Sequence, residues 1–262
     1  MFTCVTGMKR CAPVCIKNIN DKMKKLEDIK GIIFDYGGTI DTNSRHWAEV
    51  LWGEYEALQV PVSKADFREA YVHGERTLAR IPLVKPEHDF HDVLRIKTDI
   101  QITYLVEQGK LSEADAAGKA YACKVADACY QYVLNVLQRT RPVVETLAGR
   151  YKLVLVSNFY GNIQTILKDF ALSDCFSDII ESSVVGVRKP DPAIYRLGVE
   201  AMGLPAENIL VVGDSFSKDV VPAKTVGCKV AWLKGEGWGN ETIDETLPDV
   251  IITDLPQLLS YL

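Results

Sequence analysis

Three carboxylates and one lysine sit where apolar runs give way to turns, and those positions carry most of the chemistry this chain can offer. In "GIIFDYGGTID" (31–41), Asp35 ends a buried-strand pattern, and an unpaired carboxylate is costly to bury there. A carboxylate is ionised at pH 7, so Asp35 can act as a nucleophile without a general base. Gly37 and Gly38 permit a tight turn from which a backbone carbonyl can face a cation, and Thr39 offers a hydroxyl to Asp35 or to an anionic oxygen. Ser157 and Asn158 close "KLVLVSN" and are suited to hydrogen-bond an anion. In "GVRKPDPAIY", Asp191-Pro192 reads as a helix start that pins Lys189 outside the helix, where it can balance charge on a transferring phosphoryl group. Its neighbour Arg188 reads as a solvated surface charge. In "LVVGDSFSKDV", Asp214 follows a strand and Asp219 lies about one turn further on, a spacing that suits a hard divalent cation beside Asp35.

These groups converge only if the elements between them form a sheet. Six short apolar runs read as buried parallel strands: "GIIFDY", "KLVLVSN", "DIIESS", "NILVVGDS", "KVAWL" and "DVIITD". From residue 142 onward they alternate with helical patterns such as "NIQTILKDFAL", "PAIYRLGVEAMG" and "SKDVVPAKTVG". The fold class expected is α/β, a doubly wound Rossmann-like parallel sheet with its active groups at the carboxyl ends of the strands. Between the first strand and "KLVLVSN", residues 43–140 are helical throughout, far longer than a crossover needs, so an inserted helical bundle placed as a lid is expected. The division anticipated is an N-terminal extension over 1–28, loosely ordered, a core from 29–42 and 141–262, and a helical cap over 43–140.

The 262 residues are 47% hydrophobic and 25% charged with a net charge of -5, which allows one large domain with an insertion and argues against a nucleic-acid surface. No apolar run approaches the roughly 20 residues of a membrane helix, and the N-terminus lacks a secretory pattern. Seven cysteines without framework spacing fit a reducing, cytoplasmic setting. Cys4, Cys11 and Cys15 lack a fourth zinc ligand nearby and read as free thiols, with Met8 and Met23 as alternative starts. Cys123, Cys129, Cys175 and Cys228 read as small core residues.

The ordered set "FDYGGT", "VSN", "RKPDP" and "VGDSFSKD" resembles the four motifs of the haloacid dehalogenase-like hydrolase superfamily, and the bundle is similar to that family's helical cap. The resemblance implies a Mg2+-dependent phosphatase of a small phosphorylated substrate. Asp35 would be the nucleophile that forms an aspartyl-phosphate. Thr39, Ser157 and Asn158 would hold phosphate and Lys189 would stabilise charge. Asp35, the backbone carbonyl of Gly37 and Asp214 would ligate magnesium, with Asp219 supporting that site or Lys189.

Most phosphatases of that family carry a second aspartate where this chain has Gly37, and it serves as general acid and base. Asp41 and His46 lie just beyond the turn as possible substitutes. Two other chemistries also lack that aspartate. Haloacid dehalogenases attack carbon without a metal, and the retained Asp214 and Asp219 point away from them. Phosphonate-cleaving members use a cap lysine, and the matching position in "YVHGERTL" is Arg76, read either as suited to a second anionic group on the substrate or as an exposed helix charge. A catalytically weak phosphate-binding protein is the third alternative. Trp47 and Trp52 are expected either to line the pocket or to pack cap helices.

Overall fold

The computed structural model describes residues 25–237 and 243–262. The six predicted strands form: β1 (Gly31–Phe34), β2 (Lys152–Ser157), β3 (Asp178–Glu181), β4 (Ile209–Gly213), β5 (Lys229–Leu233) and β6 (Val250–Ile252). They make one parallel sheet in the order β3-β2-β1-β4-β5-β6. Period-two alternation sends successive side chains to opposite faces. Ile32, Phe34, Leu153, Leu155, Leu210 and Val212 join one core, and Ile33, Val154, Val156 and Val211 join the other. Because both faces are covered, the strands read as unbroken apolar runs rather than as alternating ones.

Between β1 and β2 the chain forms five helices: α1 (Trp47–Ala57), α2 (Lys64–Arg80), α3 (Phe90–Glu107), α4 (Glu113–Lys119) and α5 (Tyr121–Ala148). The caps are polar side chains placed one residue before each of α1 to α4, namely His46, Ser63, Asp89 and Ser112. The long pattern expected after Leu111 is two helices, broken where Ala120 takes a left-handed φ of 49°. Nor does the chain break near residue 140: α5 runs through Pro142 to Ala148, so one helix belongs both to the bundle and to the layer over the sheet. Beyond β2 come α6 (Ile163–Asp169), the single turn α7 (Ser182–Val185), α8 (Ala193–Met202) and α9 (Val221–Val226). α9 is preceded by a π-turn over Phe216–Val220.

Buried Thr140 ties α5 to the turn after β1 through a 2.8 Å bond from its Oγ1 to the Ile40 carbonyl. Asn43 donates to Asp254 (2.8 Å) and accepts from the Leu255 N–H (2.9 Å), which pins the same turn to the C-terminal segment. On the other side Asn162 donates to the His88 carbonyl at 2.9 Å. The last residues of the expected loose extension are held as well, with the Leu26 N–H donating to the Tyr261 carbonyl at 2.8 Å. Cys4, Cys11 and Cys15 lie outside the described residues. Of the cysteines expected in the core, Cys129 and Cys228 are buried, whereas Cys123 is exposed and Cys175 half-buried. Cys123 falls on the solvent side of α5. Among the described residues no helix is long and apolar enough to cross a membrane.

Thr140→Val keeps the shape of the side chain and strands the Ile40 carbonyl, so urea unfolding should report a loss of about 1–3 kcal/mol. Unchanged stability would mean that this bond does not anchor the helix.

Candidate active site

The strand order reverses at β1, with β2 and β3 on one side and β4 to β6 on the other. Parallel sheets bind ligands in the crevice at such a point. Asp35 follows β1 and Asp214 follows β4, so the two stand side by side there. They border a cavity of about 790 Å³ closed over by α2 and α3. Ser157, Asn158, Lys189 and Asp219 border it too.

Lys189 is the centre of the arrangement. Its Nζ lies 2.6 Å from Asp35 Oδ1 and 2.7 Å from Asp219 Oδ1, and all three residues are buried. Asp219 also accepts from the Tyr195 hydroxyl (2.7 Å) and the Ser215 N–H (2.9 Å), so three donors hold it. It can approach so closely because position 213 is glycine: a Cβ there would overlap the Asp219 side chain. Burial and the negative Asp219 raise the Asp35 carboxyl to about 6, against the opposing pull of Lys189. Burial, then Asp219 and Asp35, push Asp214 well above the usual carboxylate range. Burial opposes the Lys189 charge, but Asp219 and Asp35 hold its pKa above the ordinary lysine value.

One ammonium thus faces three carboxylates, and Asp35, Asp214 and Asp219 each place an oxygen within 4.8 Å of the others. That excess negative charge, with Asp214 facing the cavity, fits a divalent cation.

The turn after β1 is built to present Asp35. Thr39 and Ile40 N–H both donate to the Tyr36 carbonyl, and the Ser44 N–H donates to the Gly38 carbonyl. Gly38 has a φ of 95°, and an added Cβ would strike the Asp214 carboxylate, so glycine is required there on both counts. Gly37 is different: nothing lies within 4 Å of an added Cβ, and its backbone needs no special conformation. Thr39 is buried and donates to Asp35 Oδ2 at 3.3 Å, so its hydroxyl orients the carboxylate.

The predicted residues divide. Ser157 is buried at the cavity floor. Asn158 borders the cavity, but its amide donates to the Lys189 carbonyl (3.0 Å) and accepts from the Lys189 N–H (2.8 Å). It therefore clamps the lysine segment with its oxygen and one of its two amide N–H groups. The cap expected at Asp191, with Pro192 inside the helix, falls instead at Pro192 of α8, and the Asp191 side chain, one residue ahead of it, accepts from the Ala193 N–H at 2.9 Å. Exposed Arg188 stands at the rim.

Arg76 is exposed and does not line the cavity; its neighbour Glu75 does, because successive helical residues point about 100° apart. Asp41 is fully buried, with Oδ1 accepting from the Gly38 N–H (2.7 Å) and Oδ2 from Trp47 Nε1 (2.9 Å). Burial lifts its carboxyl to about 7 despite these donors, but it braces the turn and does not line the cavity. His46 does line the cavity, yet its Nδ1 accepts from the Ala48 N–H at 3.1 Å as the cap of α1. Burial, then Lys218, lowers its pKa to about 4. The nitrogen that would take a proton is already occupied. Trp47 lines the cavity, while Trp52 packs against Phe67.

Sequence reasoning overlooked Lys97, a buried lysine of α3 that reaches the cavity. It sits on the apolar stripe of Phe90, Val93, Leu94 and Ile102, where a lysine is out of place, and that anomaly was its signal. Also unforeseen, Lys234, Gly235 and Glu236 of the loop after β5 border the cavity.

The family model of haloacid dehalogenase-like hydrolases matches residues 29–227. The chain is 31% identical to the 5-amino-6-(5-phospho-D-ribitylamino)uracil phosphatase YigB of Escherichia coli, over 91% of this chain and 98% of that protein. It is 29% identical to a phosphoglycolate phosphatase of Shigella boydii, over 92% and 95% respectively. Among solved structures, the magnesium-bound HAD-hydrolase YfnB of Bacillus subtilis superimposes with a TM-score of 0.53 at 18% identity, covering 88% of this chain and 96% of that one.

Asp41→Asn replaces one carboxylate oxygen with an N–H donor, leaving either the Gly38 N–H or the Trp47 Nε1 without an acceptor. Chemical denaturation should show a loss of about 1–3 kcal/mol. Full stability with abolished turnover would instead assign Asp41 to proton transfer.

Proposed function

We propose that this chain, which belongs to the haloacid dehalogenase-like hydrolases, is a magnesium-dependent phosphatase of a small phosphorylated metabolite acting in the cytoplasm. The observation that carries this reading is the buried Asp35–Lys189–Asp219 bridge opening onto a cavity shared with Asp214. Asp35 attacks phosphorus, the bond from phosphorus to the substrate oxygen breaks, and the alcohol departs. Water then cleaves the aspartyl-phosphate and regenerates the carboxylate. Lys189 stays protonated throughout and offsets charge on the transferring group. Ser157 donates to a phosphate oxygen, while Thr39 and Asn158 fix Asp35 and Lys189 in place. Asp35, the Gly37 carbonyl and Asp214 would hold the magnesium, with Asp219 positioning Lys189. When bound, the ion neutralises phosphate charge and orients it for in-line attack.

The glycine at 37 withholds the usual acid and base, and neither Asp41 nor His46 is free to replace it. Protonation of the leaving alcohol falls to solvent, so substrates with acidic leaving groups are favoured. The related YigB and phosphoglycolate phosphatases act on small phosphorylated compounds, which supports the substrate class. Carbon attack of the dehalogenase kind is disfavoured because it has no need of the acidic cluster around Asp35. Cleavage of a phosphonate through an imine requires an unprotonated cap amine, and the cap lysine in the cavity, Lys97, is ion-paired with Glu75 at 2.8 Å.

Magnesium-dependent release of phosphate from p-nitrophenyl phosphate should disappear in Asp35→Asn, and equal rates for the two proteins would remove Asp35 as nucleophile. Since position 37 has room for a side chain, Gly37→Asp should raise turnover of an alkyl phosphate by ~10²-fold or more and that of the aryl ester by a smaller factor, because the aryl ester gains only the base for breakdown. A fall in alkyl turnover would mean that the glycine makes room for substrate.

A further inference from the structure

The cap side of the cavity bears on which phosphate esters fit, an inference that rests on the phosphatase reading above. Lys97 Nζ lies 2.8 Å from Glu75 Oε1, with the lysine side chain 11% exposed and the glutamate 36%. The Tyr160 hydroxyl, contributed by the loop after β2, donates to Glu75 Oε2 at 3.4 Å, and Lys97 Nζ stands 5.5 Å from the centroid of the same ring. Two cap helices and one core loop thus meet in a closed, electrically neutral pair facing the space beside Asp35. The walls around it are apolar or aromatic, including Leu78, Phe90 and Leu94.

Among the described residues, no other buried cation stands on this side. Lys189 is committed to Asp35 and Asp219. Arg80, Arg188 and Lys218 line only the rim and are exposed, where water screens them. Lys234 pairs with Glu245. A second carboxylate or phosphate on a substrate would have to displace Glu75 from Lys97 or stand beside it as a like charge, and both are unfavourable away from water. A hydroxyl meets no such conflict, because it can accept from Lys97 and donate to Glu75 while the pair stays intact.

We propose that the Glu75–Lys97 pair is a specificity device that selects phosphate monoesters whose remaining part is uncharged and carries a hydroxyl, and rejects those bearing a second anion. Glu75 supplies the rejection and Lys97 the directional donor, with Tyr160 holding the pair across the closure between cap and core.

Phosphoglycolate and 2-hydroxyethyl phosphate differ only in carboxylate against hydroxymethyl, so they isolate the effect. Titration calorimetry with magnesium on Asp35→Asn reads their binding without turnover. The hydroxyl compound should bind at least about tenfold more tightly. Adding Glu75→Gln should narrow or invert that ratio by about tenfold, since Lys97 then becomes an unpaired cation. If that variant does not fold, Glu75→Gln combined with Lys97→Met removes both charges and should abolish the preference. Equal or tighter binding of phosphoglycolate to the Glu75-bearing protein would overturn the proposal, as would a ratio unmoved by either set of changes. Failure of p-nitrophenyl phosphate hydrolysis would count against the phosphatase reading and leave these affinities as they are.

Discussion

Two carboxylates and an ammonium held out of water, Asp35–Lys189–Asp219, are the constraint on which the rest of the architecture depends. An unpaired charge at such depth is prohibitively costly, so the three groups are tolerated only while each keeps its partners. Every neighbouring feature serves that condition. Tyr195 and the Ser215 N–H hold Asp219, the Asn158 amide clamps the backbone of Lys189, and Thr39 steadies Asp35. Glycine at 213 lets Asp219 reach the end of β4. The sheet supplies the framework, because only at the reversal of strand order do the ends of β1 and β4 lie side by side with open space above them.

Asp35 and its lysine depend on the turn that follows Asp35. The bracing function falls to Asp41, which is committed to Gly38 and Trp47, while position 37 is left open to the cavity. On the proposed reading, with Asp35 as nucleophile and no side chain at position 37, formation and breakdown of the covalent intermediate depend on different things. Formation is limited by how readily the leaving group departs. Breakdown, on that reading, is limited by water that position 37 does not activate. Such a site favours accumulation of the intermediate, and substrate choice then passes to the cap, whose side chains face the departing alcohol.

The sheet was legible in the sequence because parallel strands buried on both faces must be apolar throughout, and each of the six was bounded by turn residues. The positions of Asp35, Ser157 and Asp214 were legible for the same reason, since they stand at or just past strand ends, whereas Lys189 was placed by the helix start at Asp191-Pro192 and Asp219 by its spacing from Asp214. The cap was less so. Its helices were readable from their period, but the sequence does not say which side of a helix meets the cavity, and the difference between Arg76 and Glu75 is one residue and about 100°. Lys97 was concealed by its own surroundings, since an apolar stripe reads as core until its one charged member is questioned. Asp41 and His46 were read by what their side chains can do chemically, whereas their hydrogen bonds had already committed them to the turn and to the start of α1. Those commitments arise from tertiary placement, which spacing alone does not encode.

Rapid acid quench of the wild-type protein during turnover of an aryl phosphate with magnesium, followed by peptide mass analysis, tests the central claim most directly. The account predicts a phosphoryl group on the peptide that contains Asp35, at an occupancy approaching one per chain because breakdown lacks a positioned base. Release of phosphate with no label on that peptide, or with label on another residue, would contradict it.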